Sequence, residues 1–208
     1  MTFRRVGESA FLVETGDVRP HDLSAAINAA SWRDRVVEVV PAAETVLVVA
    51  RDAAAVGPVR DAVAALLGAG VATVQATEPH TIEIPVRYDG IDLDAVARAA
   101  ALSREEVVAL HASADHVVEF FGFAPGFAYL GGVPEALHLP RRPDPRVRID
   151  AGTVAIAGGQ TVIYPGGTPG GWHQVGHTDT VLWTPDDDPP NLLEVGDRIR
   201  FVPIEAHA

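Results

Sequence analysis

The chain has 208 residues, 48% of them apolar, and a formal net charge of −12; this is apolar mass for one good core or two small ones, and it excludes a disordered or fibrous protein. The acidic excess argues against non-specific binding to nucleic acid or acidic membranes, because phosphate backbones are held by basic side chains that release counterions. All 16 basic residues are arginine and there is no cysteine, which removes disulfides, thiolate metal sites, a cysteine nucleophile, a Schiff-base lysine and a complete P-loop.

No window approaches the ~18 consecutive apolar residues of a membrane span, and the Met1-Thr2-Phe3-Arg4-Arg5 start leads into no signal-peptide apolar region, so a soluble cytoplasmic protein is expected. From Ser9 to Thr15 the pattern reads as a strand, and Asp22 to Ala30 places Leu23, Ala26, Ile27 and Ala30 at helical spacing. Two β-branched runs, Val36 to Val40 and Thr45 to Ala50, flank Pro41 as in a short hairpin. A second helix is expected after Pro58, through Val59, Val63, Leu66 and Leu67 to a Gly68/Gly70 stop. This small α+β unit ends near Gln75, and Glu78-Pro79 marks the boundary, since a residue before proline is pushed out of the helical region. Two domains follow from this reading, 1–78 and 79–208.

The second domain opens with an alternating strand from Thr81 to Arg87. Leu93, Val96, Ala97 and Ala100 suit one helix, and Ser103 with Glu106 forms a capping box that opens another through His111. From Val117 onward helical periodicity vanishes and short strands alternate with Gly/Pro turns, the pattern of an antiparallel β-barrel or sandwich.

Chemistry concentrates between Glu119 and Thr178. Arg141, Arg142, Arg146 and Arg148 fall within eight residues interrupted by Pro143 and Pro145. In an extended segment Arg146 and Arg148 share a face, a fork suited to carboxylate or phosphate oxygens; the competing expectation is that they pair with the protein's own carboxylates. The turns Gly158-Gly159-Gln160-Thr161 and Pro165-Gly166-Gly167-Thr168-Pro169-Gly170-Gly171-Trp172 bring backbone N–H groups within reach of a ligand. Gln160 adds an amide that donates and accepts, which suits a lactam or carboxamide. His173 and His177 lie about 13 Å apart on an ideal strand, too far to share a metal, so no metal site is expected. A single histidine there remains a candidate acid or base. Phe120, Phe121, Phe123, Phe127 and Tyr129 cluster around Pro125-Gly126, mainly as core. No Gly-x-Ser-x-Gly, His-Glu-x-x-His or dinucleotide fingerprint occurs.

Three ordered motifs, GFAPGFAYLGG (Gly122 to Gly132), PRRPDPRVRIDAGTVAIAGGQTVIYP (Pro140 to Pro165) and TPGGWHQVGHT (Thr168 to Thr178), resemble the signature of the KipI/PxpB family, also known as allophanate hydrolase subunit 1 or a carboxyltransferase-domain subunit. The resemblance runs from the Phe3-Arg4-Arg5-Val6-Gly7 opening to GDRIRFVPI (Gly196 to Ile204). It implies an α+β N-terminal domain followed by a mainly-β cyclophilin-like barrel domain. It also implies the B-type subunit of a bacterial 5-oxoprolinase that uses ATP, with Mg2+, to open 5-oxoproline to L-glutamate. ATP is then a co-substrate and no cofactor is tightly bound. The partners implied are a PxpC-type subunit, similar to allophanate hydrolase subunit 2, and a PxpA-type subunit, without which this chain is inactive.

On that reading Arg146 and Arg148 hold an anion beside the backbone of Gly159, Gly170 and Gly171, Gln160 orients the substrate and His173 transfers a proton. The chain departs from the family at His177, commonly arginine, and at Val162, commonly glycine. The same resemblance leaves two alternatives: a KipI-like inhibitor of a histidine kinase, and a carboxyltransferase subunit related to urea carboxylase.

Overall fold

The computed structural model describes residues 2–71 and 80–205. Backbone contacts divide the chain into two compact units, Met1–Glu78 and Pro79–Ala208. The junction read from Glu78-Pro79, like the end near Gln75, lies outside the described residues.

In the first unit, β1 (Phe3–Val6), β2 (Ala10–Glu14), β3 (Val36–Pro41) and β4 (Thr45–Ala50) form an antiparallel sheet in the order β1-β2-β4-β3. The predicted hairpin is the β3–β4 pair. On β4 every second residue, Val46, Val48 and Ala50, is buried, because alternate strand positions face one side. That side meets α1 (Pro20–Asn28) and α2 (Ala53–Ala69) in a core of Phe11, Val13, Leu23, Ile27, Val59, Val63 and Leu67. The second helix differs from the sequence expectation: it starts at Ala53, with Pro58 inside it. Asp52 explains the earlier start, since its side chain accepts the Ala55 amide at 2.8 Å and caps a run of three alanines, the best helix former.

The second unit is mostly β, a nearly closed barrel-like sheet with two helices. Strands β5 (Thr81–Val86), β6 (His116–Phe121), β7 (Ala128–Gly131), β9 (Thr153–Ala157), β10 (Gln160–Ile163), β12 (His173–His177) and β13 (Arg198–Pro203) run in the order β12-β9-β10-β7-β6-β13-β5. One pair in it, β13 and β5, is parallel. A parallel return needs a long crossover, and nearly all of the second unit lies between these two strands. The two ends of the sheet meet where Arg87 and His177 exchange backbone hydrogen bonds, both 2.8 Å. Beyond them Gly90 and Asp92 donate to the carbonyls of Val175 and Gln174. A separate ribbon pairs β8 (Arg146–Ile149) with β11 (Thr168–Gly170).

One face of the sheet, carrying Ile84, Val86, Val118, Leu130, Val154, Ile156 and Ile163, packs on α3 (Leu93–Ala100) and α4 (Arg104–Ser113). The predicted capping box is present: Ser103 Oγ accepts the Glu106 amide at 3.1 Å, and Glu106 accepts the Ser103 amide at 2.7 Å. A polar chain crosses this core, from the Tyr88 hydroxyl to His111 Nδ1 at 2.8 Å and from His111 Nε2 to Thr161 Oγ1 at 2.9 Å. Among the described residues no helix is long and apolar enough to cross a membrane.

Candidate functional site

The opposite face of the same sheet carries the chemistry. Alternation along β9 and β10 turns Ala155, Ala157 and Val162 away from the helices, where they meet Phe127, Ile149, Tyr164 and Trp172. Strand register lines up Phe120, Tyr129, Val162, Ala155 and Gln174 as one row across five strands. Phe120 and Tyr129 stack at 4.3 Å, and Tyr129 meets Trp172 edge-on at 5.9 Å. Small side chains at the middle of the row and aromatic ones around it make a floor with a rim. The exposed Arg141 guanidinium lies over Trp172, 5.6 Å from the ring, in a cation–π contact. Burial raises the Tyr129 phenol, against the opposing charge of Arg141. It pushes Tyr164 up to about 12, with Tyr129 adding and Arg141 and Arg146 opposing, so both phenols keep their protons at neutral pH.

Next to this floor, the β9–β10 turn sets Gln160 against Glu119: the Gln160 amide Nε2 donates to Glu119 Oε2 at 2.9 Å. The strand register of β6 shifts between Val118 and Phe120, which leaves Glu119 as the unpaired residue of a bulge. Its carboxylate fills the space where residue 131 has no side chain; a Cβ on Gly131 would stand 2.1 Å from Glu119 Oε1. Gly159 lies in the turn beside the His138 ring.

The arginine cluster is arranged differently. Asp92, only 3% exposed, accepts both guanidinium nitrogens of Arg146 at 2.8 Å, Arg142 Nη1 at 2.7 Å and the Gln174 backbone amide at 2.9 Å. Burial pushes the Asp92 carboxyl up, but the Arg146 hydrogen bond, the Gln174 amide and the charges of Arg146 and Arg142 outweigh it, and the group sits below its ordinary value. Arg146 thus spends its fork on the protein's own carboxylate. Arg148 does not join it: it is exposed, borders Gly167, and its side chain makes no hydrogen bond or ion pair among the described residues. Arg142 also donates its backbone amide to the Gly171 carbonyl at 2.7 Å. Gly170 sits where a Cβ would overlap the Tyr164 hydroxyl at 2.3 Å and Ile149 Cδ1 at 2.4 Å. Asp92, Arg142 and Arg146 therefore fasten the β8–β11 ribbon to the barrel.

His173 is a strap as well. Its Nε2 donates to the Pro140 carbonyl at 2.9 Å, and its Nδ1 is buried without a partner. The contact with a carbonyl places a ring proton on Nε2. The residues named from sequence thus separate. Gln160 and Gly159 lie on the open face with Glu119; Arg146, Gly170, Gly171 and His173 hold the ribbon; and Arg148 lies on the ribbon with its side chain exposed. Sequence reasoning missed Glu119 and Asp92. The glycine at position 131, adjacent in the sheet to the Thr161–Leu130 pair, was the available sign of a close approach by Glu119.

Cavities lie elsewhere among the described residues. A cleft of about 560 Å³ runs between α4 and β13, one of about 440 Å³ is lined by Tyr88, Leu93, Arg104 and Val108, and one of about 270 Å³ is bounded by Tyr164, His177, Thr178 and Asp179. None of the residues named from sequence for the site lines any of these three, and the converging polar groups, rather than cavity size, identify the open face as the candidate. Among the described residues no three His, Asp or Glu side chains gather as a metal site.

The sequence profile of the carboxyltransferase domain, subdomains C and D, matches residues 1–193. The chain is 52% identical over 134 residues to the B-type subunit of 5-oxoprolinase from Escherichia coli O157:H7, covering 62% of each chain. It is 48% identical over 126 residues to the B-type subunit of 5-oxoprolinase from Bacillus subtilis strain 168, covering 59% of this chain and 52% of that one. The chain thus spans less than two thirds of the length of either relative. Among solved structures, TTHA0988 superposes with a TM-score of 0.77 at 36% identity, over 96% of this chain and 40% of that one. Kluyveromyces lactis urea carboxylase gives 0.70 at 19% identity over 98% of this chain and 22% of that one, a likeness of fold alone. The profile covers nearly the whole chain and its relatives share about half their residues with it over the matched stretches, so the chain belongs to the carboxyltransferase-domain family, in its KipI/PxpB branch.

Proposed function

We propose that this chain is the B-type subunit of a 5-oxoprolinase, a cytoplasmic complex that couples ATP hydrolysis, with Mg2+, to the opening of 5-oxoproline to L-glutamate. The observation that carries the reading is the 52% and 48% identity to proteins of that name. The architecture proposed with it is the α+β domain followed by a cyclophilin-like barrel.

The chemistry explains why ATP is needed. A lactam is a poor electrophile; phosphorylating its oxygen activates the carbon, water adds there, the C–N bond breaks with the electron pair going to the protonated amine, and a second water hydrolyses the resulting acyl phosphate to the carboxylate and inorganic phosphate. Positive charge for the phosphate must come from arginine or from a partner, since this chain contains no lysine. Arg148, exposed beside Gly167 and without an ion pair among the described residues, is a cation available for it. Gln160, with the Gly159 backbone behind it, contacts the lactam. Arg146, Gly170, Gly171 and His173 act through the ribbon they hold.

Work beside C-type and A-type subunits is part of the proposal. It is supported by the word subunit in both relatives' names and by TTHA0988, of which the part like this chain is 40%. The test is glutamate formation from 5-oxoproline and ATP by this chain alone, with its C-type partner, and with both partners. Glutamate only in the full mixture supports the reading; an assembled complex that forms none rejects it.

A further inference from the structure

Glu119 is a half-buried carboxylate with no cation against it among the described residues. Its only hydrogen bond there uses Oε2 and the Gln160 amide, leaving Oε1 without a donor. Gln160 in turn spends one N–H of its Nε2 as the donor to Glu119, and its side-chain carbonyl oxygen makes no hydrogen bond among the described residues. Two separate features of the fold place this carboxylate. One is the bulge that leaves residue 119 outside the ladder pairing, and the other is the missing side chain at Gly131 that makes room for its carboxylate. Bulges of this kind recur beside active sites, where they redirect a side chain.

We propose that Glu119, with the carbonyl oxygen of Gln160, receives the N–H of an amide or lactam ligand. The inference rests on the 5-oxoprolinase reading for the identity of that ligand, 5-oxoproline, but the recognition chemistry is set by the two acceptors. A carboxylate oxygen and an amide carbonyl, both without a donor, bind an N–H and reject a ring oxygen in the same place, because an acceptor opposite another acceptor repels it.

The same contact works on the reaction. As the lactam oxygen forms its bond to the terminal phosphorus of a nucleoside triphosphate, the bond from that phosphorus to the diphosphate breaks and the diphosphate leaves with the electron pair. The C=O bond becomes single, the nitrogen lone pair makes C=N, and the N–H becomes positive. Glu119 stays a carboxylate and neutralises that charge. This is stabilisation of charge that exists only along the reaction path, so it raises kcat more than it lowers KM.

The test uses Glu119→Gln in the assembled complex. The replacement amide oxygen can still accept the Gln160 proton, so a purely structural role would leave turnover and melting temperature unchanged. The expected result is an unchanged melting temperature, a fall in kcat of about a hundredfold and a smaller change in KM. A second arm follows the side-chain amide signals of Gln160 in the 15N-labelled full chain within the complex. 5-Oxoproline should shift them, and the lactone analogue, with oxygen in place of N–H, should do so at least tenfold more weakly; Glu119→Gln should abolish that preference. Unchanged kcat in the variant, or equal response to lactam and lactone, overturns the proposal while leaving the functional reading intact. A wild-type complex that makes no glutamate counts against the functional reading; the Gln160 signals then still decide whether an N–H is recognised here.

Discussion

Asp92 and Arg146, 54 residues apart, meet in a two-pronged ion pair in which each carboxylate oxygen accepts one guanidinium nitrogen at 2.8 Å. Arg142 and the Gln174 amide complete the coordination. Removing the carboxylate strands two cations, whereas removing one arginine leaves the other in place. Asp92→Ala is expected to cost about 3 kcal/mol, the low end for a broken buried pair because both guanidiniums keep some water. Arg146→Ala should cost less, and urea unfolding of the two variants measures the difference.

The same carboxylate gives an acid-side signature. Its folded-state pKa is depressed, so its stabilisation is present above the unfolded value, about 3.9, and is lost as pH falls through the folded value. Between pH 5 and pH 2, Asp92→Asn should therefore show a flatter decline in unfolding free energy than the wild type. Parallel declines would contradict the coordination of Asp92.

His111 acts in a different pH window. Burial, with the charge of His116 adding, holds its pKa well below the ordinary value, so the folded protein keeps it neutral while the unfolded chain binds a proton below about pH 6.5. Stability is fully present above that value and falls as pH drops. Between pH 7 and pH 5.5 this one group should remove about 1 kcal/mol. A His111→Gln variant, though destabilised by losing the Tyr88 and Thr161 bonds, should show a shallower slope in urea unfolding over that range.

Gly131 and Gly170 should respond oppositely to alanine. At Gly131 the new methyl meets the end of the Glu119 side chain, which can swing away, so Gly131→Ala should fold normally and lose most of the turnover of the complex. At Gly170 it meets Tyr164 and Ile149 inside a packed cluster, so Gly170→Ala should lower stability by about 1–3 kcal/mol. Thermal melts beside turnover assays separate the two outcomes.

Local features were legible in the sequence and distant ones were not. The capping box at Ser103, the hairpin around Pro41 and the helices of the second unit all follow from neighbours within a few residues. The misread start of α2 is also local: Pro58 drew attention from the Asp52 cap six residues earlier. Glu119 and Asp92 were missed because their meaning lies in partners 41 and 50 to 54 residues away. Arg146 and Arg148 looked alike in an extended segment, and only the placement of Asp92 against one of them separates a structural arginine from a free one.

The most direct test of the central claim labels the lactam oxygen of 5-oxoproline with 18O and follows turnover by the complex with and without this chain. If the chain is a working part of a 5-oxoprolinase that phosphorylates that oxygen, label appears in inorganic phosphate, and only when the chain is present. Label retained entirely in glutamate, or equal turnover in its absence, would contradict the account.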